Sequence, residues 1–348
     1  MLHRQIRGAL VAIAALCSLA VASSATAAPW QGPIRISGPV VNASAGTSIA
    51  LGVSGDAAAA WSDDGAGGEI VLVRKRAGSA WSSPDVPAGA GNGPVFTGVD
   101  GLGNITAAYS AGDVTTLLNW PATATAAVAT PLGVPMTVTD LAVDASGDAV
   151  IAGLSGSPAG LTVGYRRGRD GEFSLHTYTS AELGSNATSA RVAIDESLGA
   201  AVLFVSGPKL LAATRTAATD WPATPETVEG TLTVSGDPAV TFDSAGALLA
   251  AFTYETATPA KVLRTARRQD GGSWLESGDL TLATPNSSAD SLNLEAGPAG
   301  EVALVWNQTS AFQLERQGAV RLIHHRRVGA DRGRQLSGDS HSRRRHRQ

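Results

Sequence analysis

Cysteine is almost missing from this chain. The single one, Cys17, lies near the start, so the rest has no disulfide, thiolate metal site or cysteine nucleophile to draw on. Histidine is nearly as scarce: His176 alone falls in the body, while His324, His325, His341 and His346 crowd the last stretch. A Ser-His-Asp relay would have to use His176, and a histidine-based zinc site has too few ligands. In Phe173-Ser174-Leu175-His176 the histidine alternates with apolar neighbours, which reads as an exposed strand residue. Aromatics make up 5% of the chain, and they fall at regular places that matter below.

The first residues read as an export signal. Arg4 and Arg7 precede an uncharged apolar stretch from Ala9 to Ala22, and Ala25-Thr26-Ala27 supplies a small-x-small cleavage site. The apolar stretch falls short of the roughly 20 residues a membrane span needs, so an uncleaved anchor is the weaker alternative. Leu16 stands where a lipoprotein signal wants a small residue, so no lipid anchor is expected. We therefore expect residues 1–27 to be removed and the protein to be secreted or held in the cell envelope. About 320 remaining residues suffice to bury roughly three quarters of their surface without cross-links. Abundant alanine and glycine with little lysine point to GC-rich coding and a bacterial source.

Charge is unevenly spread. Of 26 basic residues, Arg4 and Arg7 lie in the signal and ten arginines in the stretch from Arg316 to Gln348, which leaves 14 in the body; removing Asp331 and Asp339 from the 30 acidic residues leaves 28 there, a net of −14. An acidic body does not suit nucleic acid or anionic lipid. The run Ser342-Arg343-Arg344-Arg345-His346-Arg347 reads as a disordered basic tail over 328–348.

Repeats organise the body. An Asp-turn followed by a small, apolar strand ending in an aromatic recurs: Asp100-Gly101-Leu102-Gly103 leads to Tyr109, Asp144 to Gly147 opens another copy, Asp195 to Gly199 leads to Phe204, and Asp243-Ser244-Ala245-Gly246 leads to Phe252. Ser54-Gly55-Asp56 leads to Trp61, and Gly297 to Gly300 leads to Trp306. Asp first and Gly fourth suit a type I turn, the carboxylate holding backbone N–H groups and the glycine taking positive φ. The alanine-rich runs are short and punctuated, which favours buried strands over helices. A second anchor is an aromatic after a polar turn: Trp81, Trp120, Phe173, Trp221 and Trp274, with Trp30 as a sixth copy. Between the anchors lies a strand ending in basic residues, as at Arg74-Lys75-Arg76, Arg166-Arg167, Arg215 and Arg267-Arg268.

Four strands per repeat and about six repeats give an all-β fold over 28–327: a β-propeller of six four-stranded blades. A chain of β-sandwiches or an open β-solenoid is the alternative. Trp30-Gln31-Gly32-Pro33-Ile34-Arg35-Ile36-Ser37 matches the fourth strand of a repeat, while the last repeat lacks one. The N-terminal strand is therefore expected to complete the last blade and close the ring, removing an open edge. The aromatics Trp61, Trp81, Trp274 and Trp306 are expected in the core between sheets.

This pattern resembles secreted bacterial propellers of the sialidase-like and NHL-like kind. The resemblance implies the fold and stops short of the activity. Two residues, not one, separate Asp from Gly in Asp100, Asp144 and Asp243, and Pro33-Ile34-Arg35-Ile36 is not the Arg-Ile-Pro order of a sialidase. No catalytic residue is carried over.

No cofactor or metal is expected. Ser62 to Glu69 lacks the alternating oxygen ligands of a calcium loop and reads as a strand connection. The recurring arginines would lie on one face; solvated strand ends paired with the acidic surface are the preferred reading, and a ring that binds an acidic glycan or partner the alternative. Glu255, Glu295 and Glu301 stand as candidate carboxylates. The expected function is a non-catalytic exported binding or scaffold propeller, a monomer with a protein or carbohydrate ligand. The alternative is a carbohydrate-active hydrolase or lyase using carboxylates in the propeller channel.

Overall fold

The computed structural model describes residues 36, 46–63, 68–86, 91, 93–112, 114–156, 159–195, 197, 199–216, 218–256, 260–269, 272–281, 288–297, 301–309 and 316–323, the last span and residue 309 as backbone only. Met1–Gly38 and Pro39–Gln348 are separate units. The second carries the fold. The export signal, the basic tail and Trp30 lie outside the described residues.

Six antiparallel sheets follow one another along the chain. The first holds β1 (Ser48–Leu51), β2 (Ala57–Asp63) and β3 (Glu69–Lys75), and the second β4 (Val95–Val99), β5 (Ile105–Ala111), β6 (Val114–Trp120) and β7 (Val128–Pro131). The third holds β8 (Thr137–Val143), β9 (Ala149–Gly156), β10 (Ala159–Arg166) and β11 (Phe173–Thr179). The fourth holds β12 (Ala187–Asp195), β13 (Gly199–Ser206), β14 (Lys209–Arg215) and β15 (Glu226–Glu229). The fifth holds β16 (Thr233–Phe242), β17 (Leu248–Glu255), β18 (Lys261–Arg268) and β19 (Leu275–Asp279), and the sixth β20 (Ser288–Ala296), β21 (Glu301–Thr309) and β22 (Arg316–Ile323). In each sheet the strands pair in chain order, as up-and-down meanders. Short bridges from Leu72 to Asp85 and from Lys75 to Trp81 start a fourth strand on the first sheet.

The second strand of each sheet explains the alanines. β2 is buried from Ala57 to Ser62, and every residue of β13 is buried. A strand buried on both faces lies between two neighbouring sheets, and small side chains let those sheets approach. The helical propensity of Ala57-Ala58-Ala59-Ala60 is overridden because four residues cannot nucleate a stable helix in isolation. Among the described residues the one helix, α1 (Ser180–Leu183), is a single turn closed by a capping box between Thr179 and Glu182. No described helix is long and apolar enough to cross a membrane.

Five apolar clusters fill the interfaces between successive sheets. Tyr109 and Leu72 belong to the first interface, Met136 and Ile151 to the second, Tyr178 and Phe204 to the third, Leu203 and Phe252 to the fourth, and Leu263 and Trp306 to the fifth. The first strands form a continuous inner row, β1 on β4, β4 on β8, β8 on β12, β12 on β16 and β16 on β20.

The Asp-turns take the expected form. Gly103, Gly147 and Gly246 donate backbone N–H to the carbonyls of Asp100, Asp144 and Asp243 at 3.0, 3.2 and 2.9 Å, with positive φ at each glycine. The Asp100 carboxylate accepts the N–H groups of Leu102 and Asn104, and Asp243 those of Ala245 and Ala247. Adjacent turns also touch: the Gly101 N–H donates to the Ala145 carbonyl at 2.9 Å.

Several expectations are corrected. Trp120 does not open a fourth strand; it closes β6, opposite Ile105, where β10 and β14 carry Arg166 and Arg215. Its neighbour Pro121 cannot continue the ladder, so the strand stops there. Trp61 and Trp306 are core residues, but Trp81 and Trp274 are half-buried at outer edges. His176 is half-buried, its ring edge-on to Tyr178 with centroids 4.4 Å apart.

Candidate functional site

The inner row of first strands lines a channel. A cavity of about 320 Å³ opens there between β8, β12, β16 and β20. Each of these four strands carries a bulge: between Val138 and Asp140, between Ala187 and Ser189, between Ser235 and Ala239, and between Asp290 and Asn293. A bulge adds residues to one strand only, so the alternation of faces shifts and side chains are re-aimed. In β20 the bulge includes Ser291 at φ 53°, the one described non-glycine residue with positive φ. Backbone strain of this sort costs about 1–3 kcal/mol and is concentrated at functional sites.

Three charged groups meet at this cavity: Asp140 from β8, Arg191 from β12 and Glu295 from β20. The Asp140 carboxylate accepts the N–H of Leu141 at 2.9 Å and that of Val192, on the adjacent inner strand, at 2.8 Å. Arg191 donates to the Thr139 carbonyl at 2.7 Å and to Asp237 on β16 at 2.8 Å. Asp140 is half-buried and Glu295 exposed by surface area, and both line the cavity, whose walls partly confine them. That confinement disfavours charge. Burial pushes the Asp140 carboxyl up from 3.8 to about 6; the Glu295 charge adds to the rise, and Arg191 and the two backbone donors oppose it. Burial raises Glu295 as well. Two carboxyl groups that hold protons more tightly than usual thus line one cavity beside a cation, an arrangement suited to proton transfer.

Of the carboxylates singled out from sequence, Glu295 alone lines this cavity. Glu255 ends β17 opposite Lys261, and Glu301 opens β21. Asp140 and Arg191 were missed. His176 sits on β11, the outermost strand of its sheet. Among the described residues no group of three or more His, Cys, Asp or Glu is arranged to hold a metal ion.

Arg167 is an exposed strand end, and Arg76, Arg267 and Arg268 pair with acids as expected, but Arg74, Arg166, Arg215 and Arg268 are neither solvated ends nor a free ring. They pack between sheets. Arg74 lies over the Trp120 ring at 4.5 Å and donates to the carbonyls of Pro121, Ala122 and Ala124 on the second sheet. Arg215 lies over Tyr165 of the third sheet at 4.1 Å. Arg268 reaches Glu226 and Thr214 of the fourth, while Arg267 pairs with Asp243 at 3.0 Å. The sequence placed them in phase; what it could not show is that these side chains turn along the neighbouring sheet instead of into solvent.

No family model matches the chain, and no curated protein matches its sequence. Solved structures do resemble it. A leech intramolecular trans-sialidase shares 9% identity, with 79% of this chain and 67% of that one covered at a TM-score of 0.52. The NanB sialidase of Streptococcus pneumoniae shares 8% identity over 85% and 71% of the two chains at 0.51. The polysaccharide lyase Uly1 shares 10% over 88% and 86% at 0.50. The likeness is one of fold, and with the six meandering sheets it defines an all-β propeller.

Proposed function

We propose that this chain is an exported, carbohydrate-active propeller, a hydrolase or lyase that works on a glycosidic bond in its channel. The observation that supports it is the pair Asp140 and Glu295, both with raised proton affinity, sharing one cavity with Arg191. Hydrolysing a glycosidic bond needs a proton delivered to the leaving oxygen and a second carboxylate to activate water or attack the ring; elimination needs a base that takes the proton beside the sugar carboxylate and an acid for the same leaving oxygen. With a value of about 6, Asp140 suits the proton donor. Glu295 is the second carboxylate, and Arg191 orients an acidic or hydroxylated sugar against both. The sialidase and lyase names of the structural neighbours agree with a carbohydrate substrate without assigning one. Export follows from the signal-like sequence over 1–27.

A second, non-catalytic reading has one observation in its favour. Asp140 spends both oxygens on backbone N–H groups and thereby stitches β8 to β12, which is a structural role. The test is a screen of the purified protein against neutral and acidic polysaccharides, followed by new reducing ends and by the unsaturated product of elimination. Glu295→Gln keeps size and removes the charge. Turnover that falls about 100-fold or more in this variant, with unchanged melting, supports the enzyme. Saccharide binding without turnover in wild type, retained in Glu295→Gln, overturns it in favour of the binding propeller.

A further inference from the structure

A larger cavity, about 530 Å³, lies away from the channel between the second and third sheets. Its walls combine β6 with the turn that leads into β11. Arg166, at the end of β10, is 2% exposed. Its guanidinium lies over Phe173 at 5.4 Å and donates to Asn119 Oδ1 at 3.1 Å and Thr106 Oγ1 at 2.9 Å. Its Nε has no hydrogen-bond partner, and among the described residues no carboxylate lies within ion-pair distance. The nearby Asp170 is engaged by Arg169 at 3.0 Å.

The molecule contains its own comparison. Arg268 occupies the same register position on the fifth sheet, opposite the first residue of β17 as Arg166 is opposite the first residue of β9. It lines the corresponding cleft, of about 210 Å³, between the fourth and fifth sheets. Its Nε is likewise unpartnered, but Glu226 neutralises it. The two arginines thus differ in a directly bonded carboxylate. In the smaller cleft, Glu226 bonds Arg268 directly, although Arg215 beside it has no ion pair among the described residues; in the larger, Asp170, Asp100 and Asp148 act on Arg166 only from beyond ion-pair distance. A buried charge without a directly bonded counter-charge is costly, and an anionic ligand offsets part of that cost.

We propose that the cleft between the second and third sheets binds the carboxylate-bearing sugar unit of an acidic glycan. The carboxylate meets Arg166, with the half-exposed Arg169 at the rim, in the fork geometry that guanidinium groups offer. Glu172 and Asn119 face the hydroxyls, and Phe173 with Leu132 covers a C–H face of the ring. The volume falls in the range of small-molecule sites. The site is separate from the channel, so it holds whether or not the channel is catalytic.

Calorimetric titration of the whole protein with methyl glucuronide, methyl glucoside and acetate tests this. Methyl glucuronide should bind at least about tenfold more tightly than either of the others, and Arg166→Gln should remove that margin. Should Arg166→Gln fail to fold, Arg169→Gln, at an exposed position, should still weaken binding about threefold with unchanged melting. Glu295→Gln should leave methyl glucuronide binding intact, which separates this site from the channel. Acetate binding as tightly as the glucuronide, or glucuronide affinity unchanged in both arginine variants, would overturn the proposal.

Discussion

Replacing Tyr178 with phenylalanine removes one oxygen from the interface between the third and fourth sheets. The Tyr178 hydroxyl donates to the Pro222 carbonyl at 2.8 Å, and the side chain is fully buried. Losing that bond leaves the carbonyl of half-buried Pro222 without its donor, a cost of about 1 kcal/mol. Truncation to alanine also deletes the ring stacked on Phe204, with centroids 6.2 Å apart and planes 18° from parallel. The cavity and lost stacking bring the total to about 3–5 kcal/mol. Urea unfolding followed by tryptophan fluorescence reads both, and a loss of about 1 kcal/mol should lower the melting midpoint by about 2–4 °C in a domain of this order of size. If Tyr178→Phe matched wild type and Tyr178→Ala cost less than about 1 kcal/mol, the sheets would not be packed through this residue.

Other outcomes follow from the same structure. Trp61→Ala should cost about 3–5 kcal/mol, because Trp61 is 5% exposed on a central strand; a variant with wild-type melting would refute that packing. Deleting residues 28–38 should lower the melting midpoint and its cooperativity if that segment supplies the fourth strand of the sixth sheet, whereas deleting 333–348 should change neither; differential scanning calorimetry distinguishes the two. Asp140 holds its proton more tightly folded than unfolded, so its contribution favours folding below about pH 4 and is lost as pH rises through about 6. Between pH 4 and pH 7 wild type should therefore lose about 1–3 kcal/mol relative to Asp140→Asn, the lower figure allowing for screening by channel water; parallel denaturation curves would contradict this.

The repeat was legible because its punctuation is local. Asp100, Asp144 and Asp243 hold their own turns, and a glycine three residues on completes each one, so the phase could be read without any long-range contact. The misplacement of Trp120 has a local cause too. The wording Trp-Pro-Ala-Thr recurs at Trp221, but the first copy ends a third strand and the second precedes a fourth. The channel was harder to read. Asp140 faces it because a bulge at Thr139 breaks the two-residue alternation, and nothing in the pattern Thr137-Val138-Thr139-Asp140 marks that extra residue. Arg191 and Glu295 reach the same cavity from 51 and 155 positions beyond Asp140 along the chain, a meeting that only the stacking of sheets produces.

The channel pair itself is open to direct titration. Carbon-13 NMR of the side-chain carboxyl groups follows Asp140 and Glu295 in wild type, and Asp140 again in Glu295→Gln. The account predicts a midpoint near 6 for Asp140, moving down once the neighbouring charge is removed, because a like charge across the cavity raises it. An Asp140 midpoint near the ordinary value of about 3.9, unchanged by Glu295→Gln, would mean that the two carboxylates neither share a confined site nor sense each other.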